Sequence, residues 1–152
     1  MRYAFMVILA IMVNGIGFCS ECETSNVVFF VEQIKKDLTL PDSEIWAHKS
    51  SKDRIETCLS GLCSITNGMK ESTVIGLMGL PDRKVRVPDK AAPSKRGSYT
   101  IDYYLKKKSL NTANVKDWIV TLGFTKASEV RFLLYQNTLG TKRFEFANHE
   151  ND

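Results

Sequence analysis

The chain has 152 residues, 43% of them hydrophobic and 25% charged, with nine glycines and four prolines. This composition describes one globular domain and excludes a polytopic membrane protein, a disordered or collagen-like chain and a two-domain enzyme. A formal net charge of +4 is too small to imply nucleic-acid binding unless the charge is clustered.

The first segment reads as an export signal. Arg2 precedes Ala4 to Val13, ten residues without a polar side chain, and Asn14, Gly15 and Gly17 end the run. A basic start, a short apolar stretch and small residues at its end are the pattern of a secretory signal peptide, here residues 1–19. A membrane-spanning helix needs about 20 apolar residues, more than this run supplies. Cleavage after Gly17 and cleavage after Cys19 both meet the small-residue requirement. Lipidation of Cys19 calls for a small residue before it, and Phe18 stands there instead. The expected location is periplasmic or secreted, with outer-membrane association as its extension.

The four cysteines fall in two close pairs, Cys19/Cys22 and Cys58/Cys63. In an exported chain an even count points to disulfides before zinc or thiol-redox chemistry. Cys58 and Cys63 can close a small loop provided Gly61 breaks any helix between them. In a continuous helix their separation gives a rise of about 7.5 Å with the side chains off register. A Cys58–Cys63 disulfide and free buried thiols therefore both stand.

Residues 20–52 are expected to form an N-terminal helix and a linker. Val27, Phe30, Val31, Ile34 and Leu38 recur at spacings of three and four within Asn26–Leu40, and Pro41 stops the helix. Asp42–Lys52 is polar. The main unit spans residues 53–147 and opens with a short helix over Asp53–Leu59 that ends near Gly61. A second helix over Glu71–Met78 is closed by Gly79, suited to a left-handed position, and by Pro81. Asp82–Ser98 is a basic loop in which Lys84–Val87 is extended. Strands are predicted over Ser98–Leu105, Val130–Tyr135 and Lys142–Ala147, the last two joined by a turn at Gln136–Gly140. Lys106–Ser128 holds Trp118, Ile119, Val120, Leu122 and Phe124, too apolar for a free loop, so part of it is a packed strand or short helix. Residues 148–152 are a polar tail.

The run from Gly68-Met69 through the helix to Met78-Gly79-Leu80-Pro81-Asp82 resembles the signature of the SmpA/OmlA/BamE-like domain, and the Tyr-rich strand and closing hairpin follow in the family's order. The resemblance implies an α+β layout, with two short helices on a three-stranded or slightly larger antiparallel sheet, here preceded by the extra N-terminal helix. It also implies a role in outer-membrane assembly or maintenance. Lys70 and Thr73 stand where the family has a hydroxyl cap and a glutamate, so Thr66 or Asn67 is left to cap the helix. Gly68, Gly79 and Pro81 read as fold determinants. A β-lactamase-inhibitor-like protein shares this helix-helix-sheet unit, and a secreted inhibitor is the alternative function.

Catalysis is not expected. His48 and His149 lie in polar segments, nothing local activates Cys58, and no phosphate loop or hydrolase motif is present. A thiol-dependent enzyme is the remote alternative. No cofactor, metal, nucleic acid or small-molecule substrate is expected. The charge, however, is clustered: Pro81–Lys108 holds nine basic residues against three aspartates. Arg83, Lys84, Arg86, Lys95, Arg96, Lys106, Lys107 and Lys108 are the candidate contacts to an envelope protein or an anionic lipid surface.

Overall fold

The computed structural model describes residues 27–41, 46–88, 98–108 and 116–146. The predicted signal peptide, Cys19, Cys22, Lys95, Arg96 and the polar tail lie outside the described residues. The fold is α+β, with three helices among the described residues, α1 (Val28–Leu38), α2 (Lys52–Cys63) and α3 (Glu71–Met78), and six strands. The strands are β1 (Trp46–Lys49), β2 (Arg83–Arg86), β3 (Tyr99–Lys108), β4 (Trp118–Phe124), β5 (Val130–Asn137) and β6 (Gly140–Glu145). They form one antiparallel sheet in which β3 to β6 meander in chain order.

The sheet is antiparallel as expected, and with six strands among the described residues it is larger than the three-stranded core of the expected three-stranded or slightly larger sheet. β4 is the apolar stretch inside Lys106–Ser128, while β1 comes from the segment read as linker and β2 from the basic loop. Both short strands lie on the same edge of β3, β2 along Tyr99–Asp102 and β1 along Lys106–Lys108. The gap between them is closed by side chains. Asp82 accepts the Tyr104 backbone N–H at 2.8 Å, and the Ser50 hydroxyl donates to the Tyr104 carbonyl at 2.5 Å. The Asp that ends the Leu80-Pro81-Asp82 motif thus satisfies backbone that would otherwise be an open strand edge.

All three helices cover one face of the sheet. Alternation along β3 sends Tyr99, Ile101, Tyr103 and Leu105 to that side, where Leu122, Leu133 and Tyr135 join them in the core. Tyr103 donates to the Gly79 carbonyl at 3.0 Å, fixing the exit of α3. α1 belongs to the same core: the Phe30 and Tyr135 rings meet edge-on at 6.2 Å between centroids. Asn137 on β5 also donates to buried Asp37 at 2.6 Å.

The helices run differently from the sequence expectation at three points. α2 does not stop near Gly61 but continues through it, because Gly61 is a contact site rather than a breaker. A Cβ there would lie 2.6 Å from the Leu77 carbonyl oxygen of α3. The expected Cys58–Cys63 disulfide is consequently absent: both residues lie on one unbroken helix at a spacing that points them apart. Cys58 is a free, buried thiol, and Cys63 is disulfide-bonded to a different cysteine.

Around α3, the residue at the N-cap is neither Thr66 nor Asn67. The N-cap position is Lys70, without a side-chain cap, and Lys70 instead reaches Glu129 at 2.7 Å. Gly79 has φ 82° and ψ −178°, an extended mirror-image conformation open essentially only to glycine, rather than the left-handed helical one. Gly68, at φ 74°, also needs its missing side chain.

Candidate interaction surface

The sheet face opposite the helices carries the complementary alternation. Register places Arg83, Asp102, Thr121, Leu134 and Arg143 in one row across five strands. Beside it runs Tyr104, Ile119, Gln136 and Thr141. Among the described residues no helix packs on this face.

Arg83 and Lys84 leave β2 on opposite sides of the sheet, as neighbours in a strand must. Arg83 holds Asp102, with Nε and Nη2 at 2.7 and 2.6 Å from one carboxylate oxygen, while Thr121 donates to the other at 2.7 Å. The Asp102 side chain is 3% exposed. Hydrogen bonding to this carboxylate, only partly opposed by burial, raises the Arg83 guanidinium above its ordinary value. On the helix side Lys84 binds both oxygens of Glu71 at 2.8 and 2.9 Å, and Tyr99 donates to the same carboxylate at 2.6 Å. Burial alone would raise Glu71, but the hydrogen bonds from Lys84 and Tyr99 outweigh it and hold the carboxyl below its usual value. Arg86 is exposed at the end of β2, opposite Tyr99. The β2 cations are therefore largely internal fasteners.

The three lysines that end β3 are arranged otherwise. A bulge between Tyr104 and Lys106 shifts the alternation by one residue. Lys106 turns to the helix side, 5% exposed, with its ammonium 4.2 Å from the Trp118 ring centroid and 5.8 Å from that of Trp46. Lys107 is exposed on the other side, 5.7 Å from the Tyr104 ring that Arg83 also approaches at 5.8 Å. Across the ladder Lys49 faces Lys106 and His48 faces Lys107, while Lys108 faces Trp46. Among the described residues of the basic segment, Arg83 and Lys84 are thus matched to carboxylates, whereas Lys106, Lys107 and Lys108 lie against aromatic rings and the strand β1.

Cys58 offers no nucleophile in this setting. Burial pushes its thiol up to about 12, against the smaller downward pull of Arg54 and with a further push from Asp82. A thiol at that value carries almost no thiolate at neutral pH. His48 lies exposed on the edge strand β1.

Compared with known proteins, the chain matches no family model, no curated relative and no solved structure.

Sequence reasoning missed Tyr104, the ring shared by Arg83 and Lys107, and Trp46 with Trp118, the rings that shelter Lys106. The available signal was the aromatic residue flanking each basic run. It could not be read without the bulge that decides which ring meets which cation.

Proposed function

We propose that this is an exported, non-catalytic protein of the cell envelope whose β1–β3 corner binds an anionic surface, either lipid headgroups or an acidic partner protein. One observation carries the reading: the ladder of β1 with the end of β3 brings His48 and Lys49 opposite Lys107 and Lys106, so that basic side chains of two strands gather at one corner of the sheet. Lys107 and His48 are exposed at that corner. The disulfide at Cys63 supports an oxidising compartment, in keeping with the signal-like first 19 residues. The order α2, α3 and antiparallel meander agrees with the layout that the SmpA/OmlA/BamE-like resemblance implies. That resemblance adds outer-membrane assembly or maintenance as the role.

The test is co-sedimentation of the purified protein with phosphatidylglycerol-containing and with purely zwitterionic vesicles, alongside the double variant Lys107→Glu, Lys108→Glu. The wild type is expected to bind only the anionic vesicles and to do so less in high salt. The double variant should bind at least about thirtyfold more weakly, at roughly 1 kcal/mol for each cation lost. Equal binding by the two proteins, or equal binding to the two vesicle types, rejects the membrane surface. If no vesicle binds, the acidic partner is sought by crosslinking from a cysteine placed at residue 107. Export is checked by mass spectrometry, which should find a chain beginning at Phe18 or Ser20.

A further inference from the structure

The two ends of the sheet are finished differently. At one end β1 and β2 are four residues each, and Asp82 and Ser50 close the gap between them on β3. Short strands and engaged backbone are how folds keep a sheet edge from pairing with another chain. At the other end the sheet stops on β6, six residues long, without a proline and in regular register with β5. Among the described residues no strand lies beyond it.

One hydrogen bond shows which backbone groups of β6 are left over. The Phe146 N–H donates to the Arg131 carbonyl at 3.2 Å, in the same register that sets Phe144 opposite Leu133 and Lys142 opposite Tyr135. The backbone groups of successive residues in an antiparallel strand turn alternately to its two sides. Lys142 and Phe144 therefore face β5, and Thr141, Arg143 and Glu145 turn their N–H and C=O outward, where no described strand receives them. All three are exposed. On the open face of the sheet, Arg143 lies 4.0 Å from the Phe132 ring centroid and its Nε is 2.7 Å from the Glu145 carboxylate. On the helix side, the partly exposed rings of Phe144 and Phe146 meet edge-on at 5.1 Å.

An edge with opposite charges two residues apart can match itself. When two copies of such a strand pair antiparallel about a two-fold axis normal to the sheet, each residue faces the one equally far beyond the axis. With the axis at Lys142, Arg143 or Glu145, that charge faces its own copy, which is unfavourable. With the axis at Phe144, Arg143 of each copy faces Glu145 of the other. Both residues belong to the outward set, so each such pair also exchanges its backbone hydrogen bonds. The same register sets Phe144 beside its counterpart and Lys142 beside Phe146, an aromatic and a cation–aromatic contact.

We infer that β6 pairs with β6 of a second copy of this chain, in the register centred on Phe144, joining two sheets into one. Charge complementarity names the occupant: the strand that answers Arg143 and Glu145 in antiparallel order is β6 itself. The interface lies at the opposite end of the sheet from Lys107, so it does not rest on the membrane or partner reading.

Sedimentation velocity of the purified protein, over a concentration series reaching the millimolar range, tests it. A monomer–dimer equilibrium is expected. Arg143→Glu alone and Glu145→Arg alone each turn both cross-strand pairs from attraction to repulsion and should weaken dimerisation about tenfold or more. An equimolar mixture of the two variants sets an acidic strand against a basic one and should dimerise at least as tightly as the wild type. Arg143→Pro removes an outward N–H from an edge strand and should abolish dimerisation with the thermal unfolding profile retained. Lys107→Glu with Lys108→Glu should leave the dimer unchanged. The inference is overturned by a monomer at every concentration, by a dimer that both single reversals leave intact, or by a mixture that associates no more tightly than its components. Vesicle binding lost with the dimer kept would reject the membrane reading alone.

Discussion

Arg83 and Lys84 on β2 and the three lysines closing β3 come from one basic segment, yet they stand in different surroundings. The β2 pair is matched to carboxylates, Arg83 to Asp102 on one face and Lys84 to Glu71 on the other. The β3 lysines meet aromatic rings and, across the ladder, Lys49 and His48. The contrast teaches that a count of charges along a chain does not locate a binding surface. Charges matched by acids hold the fold together, and where a charge sits in the fold, rather than how many there are, decides what it can do.

Four substitutions would break or sharpen this contrast. The largest effect is expected at Lys106, whose ammonium is packed against Trp118 and Trp46. Lys106→Glu places a carboxylate against the electron-rich ring faces in a nearly buried position and should cost about 3 kcal/mol in urea unfolding. A loss under about 0.5 kcal/mol would mean that this lysine is surface-like and the corner more open than described. Next comes Asp102→Ala, which strips Arg83 and Thr121 of their shared acceptor and should cost about 2 kcal/mol.

Lys84→Met should cost less, under about 1 kcal/mol, since the pair with Glu71 is partly exposed. Its clearer signature is in pH dependence. Because Glu71 titrates below its ordinary value in the folded state, its stabilising contribution is full above the unfolded carboxylate range. That contribution disappears as the pH falls through the folded value. The variant should therefore lose less stability on acidification than the wild type, measured as thermal midpoints across the acid range. The smallest change belongs to Lys107→Glu. On its exposed site it should alter stability by no more than about 0.5 kcal/mol, while weakening vesicle binding. A large destabilisation there would remove the distinction between the two halves of the segment.

The helices and the main strands were legible because their signals are local. The apolar stripe of α1, the Gly79-Pro81 exit of α3 and the alternating aromatic residues of β3 each report a period or a turn within a few residues. β1 was not legible: four residues with Trp46 as their only large apolar side chain carry no period, and they are a strand because β3 offers an edge to pair with. Gly61 misled for a similar reason. A glycine in a helix reads as a break, but here it admits the backbone of α3, so the helix continues and carries Cys58 and Cys63 apart.

The sequence by itself determined the α+β class, the placement of three helices, the strands β3, β5 and β6, and the presence of a concentrated basic segment, while leaving β4 open between strand and helix. Periodicity and backbone preference are properties of neighbouring residues, and neighbours are what a sequence records. Only the tertiary structure decided what that basic segment is. One bulged residue after Tyr104 sends Lys106 inward to the tryptophans and Lys107 outward to Tyr104. The outward set of Arg143 and Glu145 on β6 likewise exists only once β5 has taken the other side of that strand. Charge acts through space, and its distances are set by the fold.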